Sequence, residues 1–230
     1  MWWLLACADE AALSTEGVPD ELRAAVVRGD LSLRFPILEV DRFTQTVGVD
    51  HDPADYSDGS FAEQTICRNY DGRGFPWCYD GHEGSDWLLE GGFDAMDAGS
   101  ATIVAAAAGV VTEVVDGHYD RCHATTEGID CDGHEMEPNY VRVEHEGGYT
   151  TRYLHMMNGA MGVEVGDEVE CGDPLGLVGS SGYSSAPHLH LQLEDADGEV
   201  IDPYAGEYSQ PATWWTDQGD PEGLPKDVCG

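Results

Sequence analysis

Residues 163–194 read VEVGDEVECGDPLGLVGSSGYSSAPHLHLQLE and say most about the fold. Short apolar runs alternate here with Gly-Asp pairs, which are typical turn residues. In the last seven residues, leucine alternates with a polar residue. Because successive strand side chains point to opposite faces, we predict that the leucines face the core and that His188, His190 and Gln192 face the other side. The stretch therefore predicts a series of short strands.

The same pattern extends through most of the chain. The other apolar runs are LSLRFPI (31–37), FTQTVGV (43–49), ATIVAAAAGVVTEVV (101–115), NYVRVEH (139–145) and YTTRYLH (149–155). They are bounded by Gly, Asp or Asn and contain β-branched residues, as strands do. The alanines of 105–108 favour helix, but Gly109 follows at once and the next valines favour strand, so we predict two strands around a bend. The fold class expected from these runs is mostly β.

The composition limits the classes of partner. The chain has 230 residues, 41% of them hydrophobic, with 29 glycines and 11 prolines, which suits one globular domain with an appendage. Its 45 acidic residues against 10 lysines and arginines give a net charge of −35. This charge repels phosphate backbones, so nucleic acid is excluded as a partner. The simplest interpretation of the charge is that it keeps the protein surface solvated. No apolar run approaches the roughly 18 to 20 residues of a membrane-spanning helix.

The amino terminus indicates export. Residues 1–7 read MWWLLAC and resemble the end of a bacterial lipoprotein signal peptide, although the basic segment is missing and the apolar run is short. We interpret residues 1–7 as a signal remnant, with membrane attachment only through a lipidated Cys7. Residues 8–30 are acidic and are interpreted as a leader or tether. The domain is expected over residues 31–204, followed by a tail at 205–230 that packs back on it.

The other six cysteines suit disulfide bonds because their number is even. The expected pairs are Cys67 with Cys78, Cys122 with Cys131, and Cys171 with Cys229. Each of the first two pairs closes a loop of about ten residues, a closure worth roughly 3 kcal/mol. Disulfides persist in oxidising compartments, so we expect a periplasmic protein, an outer-membrane lipoprotein or an extracellular protein. The alternative is six reduced, buried cysteines in a cytosolic protein.

Residues 118–138 (HYDRCHATTEGIDCDGHEMEP) interrupt two predicted strands with polar residues. We interpret them as a surface insertion stapled by its two cysteines. An alternative is a structural zinc site formed by Cys122, His123, Cys131 and His134. The spacing of these residues lacks the paired C-x-x-C knuckles of such sites, which disfavours the alternative.

The motif HEGSD contains His82 and Asp86, four residues apart and next to glycines. This spacing fits a loop or the start of a strand rather than a helix face. With one histidine of the HLH motif, the two residues make a His₂Asp set of three ligands with a fourth position open, as a catalytic zinc ion requires. A histidine pair on a solvated surface is the alternative for HLH. His155, which ends the motif YLH, is ordinarily a structural residue in such a position.

The order of these elements resembles the lysostaphin/LytM-type zinc endopeptidases over about residues 76–204. The resemblance rests on HEGSD, the AAAAGVV strand pair, YLH, and the 163–194 stretch with its Gly-x-Ser-Gly-x-Ser segment. It implies a small antiparallel β domain, a barrel-sandwich hybrid of the duplicated hybrid motif type. An open groove across its sheet would accept an extended peptide of the bacterial cell wall. Leu191 stands where the family often has phenylalanine, and the 118–138 insertion replaces a short turn.

Carried over by position, the resemblance implies that His82, Asp86 and His190 bind one Zn²⁺ ion per chain. His155 and His188 would then be the catalytic pair that does not bind the metal. The sequence contains no glutamate placed as in HExxH enzymes, so the base must come from this pair. Which of the two histidines is the base stays open.

The function implied is zinc-dependent hydrolysis of peptide cross-links in peptidoglycan. The expected partner is the stem peptides of peptidoglycan, and we expect the chain to be a monomer. A lipoprotein start would favour a D-alanyl to diaminopimelate cross-link over a glycine bridge. One alternative is a non-catalytic cell-wall binding or hydrolase-activating module, although such modules usually lose ligands. Another is a peptidase that acts on a secreted protein.

Overall fold

The structure is a computed structural model that describes residues 31–54, 65–221 and 223–230. The interpretations of residues 1–7 and 8–30, including lipid attachment at Cys7, fall on residues outside these ranges. Within the described ranges, none of the helices has the length and apolar character needed to cross a membrane.

Twelve strands dominate the described residues. They are β1 (Phe43–Val47), β2 (Ser85–Leu89), β3 (Thr102–Val104), β4 (Gly109–Val115), β5 (His123–Thr125), β6 (Gly128–Asp130), β7 (Tyr140–Glu144), β8 (Thr150–Leu154), β9 (Glu168–Val169), β10 (Pro174–Leu177), β11 (His188–Glu194) and β12 (Val200–Ile201). One short helix, α1 (Gly92–Asp97), and two 3-10 turns, Val40–Arg42 and Glu146–Gly148, complete the elements. The predicted fold class, mostly β, is confirmed.

The large sheet has the strand order β1-β2-β11-β8-β7-β4-β9, and β12 pairs with β11. Every pairing in it is antiparallel and the sheet does not close into a barrel. β3 and β10 form a second, two-stranded sheet, and β5 and β6 form a hairpin. This open antiparallel arrangement agrees with the fold that the resemblance implied.

The core lies on one face of the central strands. Leu189, Leu191 and Leu193 of β11 are fully buried, as their alternation with polar residues predicted. Trp87 of β2 is also fully buried and makes edge contacts with other rings, including that of Trp215 at 5.9 Å. Because Trp215 belongs to the carboxyl-terminal tail, the tail contributes directly to the core. Burial of each such leucine contributes about 1.5 to 3 kcal/mol.

The predicted bend at 105–108 is present, because β3 ends at Val104 and β4 begins at Gly109. The run at 31–37 was wrongly predicted as a strand. Its backbone N–H groups donate to three separate segments, with Leu33 bonded to Trp214 and Phe35 to Lys226. A segment whose partners change at each residue cannot form a continuous ladder.

Three disulfide bonds join Cys67 to Cys78, Cys122 to Cys131, and Cys171 to Cys229. These are the pairs expected from the sequence. The bond within the insertion excludes the alternative zinc site there, because its two sulfurs bind each other.

The 118–138 insertion contains the β5–β6 hairpin and lies against the turn that precedes β11. The N–H of Cys122 donates to the carbonyl of Ser180, and that of Ala124 to Ser185, both at 2.9 Å. The Ser180 hydroxyl donates back to the Cys122 carbonyl at 2.6 Å. The insertion is therefore fixed beside the chain segment that leads into the HLH motif.

Candidate active site

The pairing of β2 with β11 brings the two predicted motifs together. His190 lies directly opposite Asp86, and His188 lies directly opposite Leu88. The intervening residues of both strands face the core, so these four side chains share the other face of the sheet. His82 lies in the loop just before β2.

His82, Asp86 and His190 converge on one point. Asp86 Oδ1 lies 2.8 Å from His190 Nδ1 and 3.2 Å from His82 Nε2, and the two histidine nitrogens are 3.2 Å apart. All three residues are buried. Ligand atoms around a tetrahedral zinc ion stand roughly 3.3 Å apart, given metal–ligand distances near 2.0 Å. Both the spacing and the nitrogen and carboxylate donors fit a zinc ion with a fourth position open.

Residues 48–50 form hydrogen bonds with the loop that carries His82. His82 Nδ1–H donates to the Gly48 carbonyl at 2.8 Å, which leaves the lone pair of Nε2 directed to the donor set. The Asp50 carboxylate accepts the backbone N–H groups of Arg68 at 3.0 Å and Gly81 at 3.1 Å. The Asp50 N–H also donates to the His82 carbonyl at 2.8 Å. No sequence motif marked this support.

The charges at the site favour a cation. Burial alone would raise the pKa of Asp86, but the neighbouring histidines lower that pKa well below its usual value. Burial lowers the pKa of His190, and Asp86 only partly opposes this. The pKa of His82 is raised, because Asp86 and the Gly48 carbonyl outweigh the effect of burial. An ionised carboxylate beside a neutral imidazole is the protonation state in which both groups bind metals.

His155 and His188 lie beside the donor set, with ring centres 4.5 Å apart. His155 Nδ1 donates to the Ser181 carbonyl at 2.6 Å, and His188 Nδ1 donates to the Ala186 carbonyl at 2.8 Å. Each Nε2 therefore stays available, and that of His188 lies 3.7 Å from Asp86 Oδ1. Burial lowers the pKa of His155 well below its usual value. The structure thus brings all five sequence-predicted residues into one cluster.

The backbone at His155 is unusual. Its φ of 62° lies in the left-handed region, which a residue other than glycine adopts at a cost of about 1 to 3 kcal/mol. β8 ends one residue earlier, so this conformation turns the chain out of the strand and sets the direction of the ring. Strain of this kind is common where a side chain must be aimed at a site.

Two further residues shape the site. Tyr79 packs on His82 with ring centres 4.3 Å apart, and burial raises its pKa, so the phenol stays neutral. Gly84 leaves room for the His190 ring, since a Cβ atom there would overlap that ring. The glycine is visible within HEGSD, whereas nothing in the sequence distinguished Tyr79 from the other tyrosines.

Among the described residues, His123, Asp130 and Asp132 form a second group whose ligand atoms lie close together. They belong to the β5–β6 hairpin and its end, and both aspartates are exposed. The Asp132 carboxylate already accepts the hydroxyl of Tyr119. Exposed acidic groups of this kind are common without an ion, so this group is not taken as a site.

Residues 89–203, half of the chain, match Peptidase family M23. The matched residues include three histidines of the candidate site, His155, His188 and His190. His82 and Asp86 come shortly before them.

The chain is also similar to individual proteins over shorter segments. It is 40% identical to peptidoglycan DD-endopeptidase ShyA of Vibrio cholerae over 60 residues, which are 26% of this chain and 14% of that protein. It is 44% identical to lysostaphin of Staphylococcus staphylolyticus over 50 residues, which are 22% of this chain and 10% of that protein. The matched segments therefore cover only a small part of these longer relatives.

Among solved structures, the chain is similar to the catalytic domain of a variant of the prophage-encoded M23 protein EnpA from Enterococcus faecalis. The identity is 20%, the TM-score is 0.46, and the match covers 76% of this chain and 96% of that domain.

Proposed function

Because the chain belongs to Peptidase family M23, we propose that it is a zinc-dependent endopeptidase that hydrolyses peptide cross-links of bacterial peptidoglycan. The observation that carries the proposal is the convergence of His82, Asp86 and His190 on one buried face, beside the pair His155 and His188. The similarity to proteins named as peptidoglycan endopeptidases supports the choice of substrate.

His82, Asp86 and His190 are the proposed ligands. Bound there, a zinc ion would polarise the scissile carbonyl and lower the pKa of a water molecule at its open position to about 7. His82 keeps the correct ring orientation through its bond to Gly48. Asp86 brings a negative charge, so the three ligands neutralise part of the charge of a divalent cation.

His155 and His188 are the proposed catalytic pair. Each ring is fixed by an Nδ1–H bond to a backbone carbonyl, so its Nε2 can exchange a proton with the reacting groups. One of the two takes the proton of the attacking water and passes it to the leaving amine. The other ring can donate from Nε2 to the carbonyl oxygen when both of its nitrogens carry a proton, and it then stabilises the negative charge that this oxygen gains.

The test uses the purified full chain with peptidoglycan from two sources, one with direct cross-links and one with glycine bridges. We expect about one zinc per chain and released muropeptides with new peptide amino ends, identified by mass spectrometry. A chelator should abolish the release and added zinc should restore it. A chain that binds peptidoglycan without metal and without hydrolysis would be a non-catalytic binding or activating module. Digestion of unstructured protein but not of peptidoglycan would identify a general secreted peptidase.

An exported location is part of the proposal. The three disulfide bonds support it, because such bonds persist in oxidising compartments such as the periplasm or the cell exterior. Lipid attachment through Cys7 and a monomeric state stay predictions. Mass spectrometry of the protein isolated from its membrane fraction tests the first, and light scattering tests the second.

A further inference from the structure

A pocket of about 400 Å³ opens beside Asp86 and His188, on the face of the sheet that carries the candidate site. Its remaining lining is largely apolar and includes Phe75, Pro76, Leu88, Ile129 and Tyr183. Among its described lining residues, Asp86 and His188 are the only acidic or basic side chains, and both belong to the candidate site.

Several of these apolar side chains are open to solvent. Phe75 is 53% exposed, Tyr183 is 59% exposed and Leu88 is 37% exposed. A single exposed apolar residue is ordinary, but several that line one concave surface mark a binding site. The pocket therefore has the character of a place where an apolar group is buried on binding.

Leu88 connects this pocket to the candidate site, because it lies on the same strand face as Asp86. It lies two residues beyond Asp86 on β2 and directly opposite His188 on β11. Two residues of a strand span about 6.8 Å, which is also the distance between alternate side chains of an extended peptide. A peptide that runs along β2 with its scissile bond at the donor set would place a neighbouring side chain over Leu88.

Disulfide-closed loops hold two walls of the pocket. Phe75 and Pro76 belong to the loop closed by Cys67 and Cys78. Ile129 belongs to the loop closed within the insertion, which is bonded to both ends of the 180–185 turn that carries Tyr183. A pocket formed before binding avoids the entropy cost of ordering its walls.

We propose that this pocket binds an apolar side chain on a substrate residue next to the scissile bond, and that it sets the specificity of the site. The proposal rests on the proposed function and deepens it by naming the substrate class. Glycine would leave the apolar surface uncovered. A charged side chain would lose its hydration without gaining a partner, because Asp86 already contacts the histidines of the candidate site.

The first experiment measures binding separately from catalysis. Peptides of one sequence that differ only beside the expected scissile bond, with Gly, Ala, Leu, Glu or Lys there, are titrated into the chelator-treated full chain by calorimetry. The same peptides are then given to the zinc-loaded chain and kcat/KM is measured. We expect the leucine peptide to exceed the glycine peptide by about tenfold or more, both in binding affinity and in kcat/KM. The alanine peptide should lie between them, and the glutamate and lysine peptides should have the lowest values.

Matched variants show whether this pocket causes the preference. Leu88→Ala and Phe75→Ala should each lower the leucine-to-glycine ratio severalfold. Leu38→Ala serves as the control, because Leu38 is an exposed leucine, 49% accessible, outside the pocket lining. Circular dichroism checks the fold, and Phe75→Ala in a loop keeps the test valid if Leu88→Ala disturbs the strand.

The outcomes separate the two proposals. Equal or better binding and cleavage of the glycine peptide would overturn the specificity pocket while leaving the peptidase intact. An equal loss of the preference in Leu38→Ala would also overturn it. Tighter binding of the leucine peptide that depends on Leu88, with no cleavage of any peptide and no release of muropeptides from peptidoglycan, would support the pocket and refute the peptidase.

Discussion

His190 and His145 are both buried, with 8% and 4% exposure, yet they differ in the kind of partner that each ring contacts. His190 Nδ1 lies 2.8 Å from the Asp86 carboxylate and 3.2 Å from His82 Nε2. His145 follows β7 directly and contacts only neutral groups through its ring nitrogens. Burial alone does not distinguish a structural histidine from a candidate ligand.

The neutral partners of His145 form a continuous line. Its Nδ1–H donates to the Ala108 carbonyl at 2.8 Å, so its Nε2 accepts the Thr151 hydroxyl at 2.8 Å. The Thr151 hydroxyl lies 3.0 Å from that of Tyr153, which in turn accepts the N–H of Ala106 at 2.7 Å. Both ring nitrogens are thus satisfied, and the histidine joins β7 and β8 to the bend at 105–108. A ring with both nitrogens satisfied has no lone pair left for a metal.

The largest expected effect separates these two histidines. His190→Ala removes one of three proposed ligands, so zinc should dissociate at modest chelator concentration and hydrolysis should vanish. His145→Gln should keep its zinc, because His145 contributes no ligand. Zinc per chain and peptidoglycan hydrolysis are measured on the same samples, with circular dichroism as the check on folding. Loss of zinc in the His145 variant alone would reverse the roles assigned here.

A smaller effect is expected for the histidines that do not bind the metal. His188→Ala and His155→Ala leave His82, Asp86 and His190 in place, so zinc should stay while kcat/KM falls by about 10² to 10⁴-fold. The measurement is metal content together with hydrolysis rate. If His188→Ala loses zinc and His190→Ala retains it, ligand and catalyst have been exchanged. Full activity in both variants would refute the catalytic pair.

The support behind His82 should have a more moderate effect. Asp50→Ala removes the acceptor for the N–H groups of Arg68 and Gly81, so the loop that carries His82 loosens. We expect zinc affinity to fall by about 10 to 100-fold. Competition with a chromophoric chelator measures it, and Asp50→Asn, which keeps one acceptor oxygen, should restore part of the loss. An unchanged affinity in Asp50→Ala would show that the ligand loop holds its shape without this residue.

The smallest effect concerns stability and His145. Burial lowers the pKa of His145 below its usual 6.5, so the unfolded chain takes up this proton first as the pH falls. The stability that the neutral ring contributes is present above about pH 6.5 and decreases as the pH falls toward the lower folded pKa, by about 1.4 kcal/mol per pH unit. Urea unfolding of the native chain and His145→Gln across this range should show a shallower pH dependence in the variant. Equal slopes would mean that His145 is protonated in the folded state as well.

Much of the fold follows from local sequence. The period of two in HLHLQLE decides which face of β11 enters the core, and β4 begins at Gly109, directly after the alanine run that forms the bend. The helix α1 was not predicted, because six residues carry too little periodicity to distinguish a helix from a turn. The segment at 31–37 was misassigned because its partners lie up to about 190 residues away in the chain.

The sequence by itself indicated most of the strands and the cysteine pairs through short-range spacing, and it indicated the five residues of the candidate site through the order of motifs that carries the resemblance. Only the tertiary structure decided what each ring nitrogen touches. Asp86 reaches His190 across 104 residues of sequence, and Ala108 reaches His145 across 37. The apolar pocket likewise needs two separate loops and the face of β2. Such contacts depend on how strands pair through space, and local periodicity does not specify the partner of a strand.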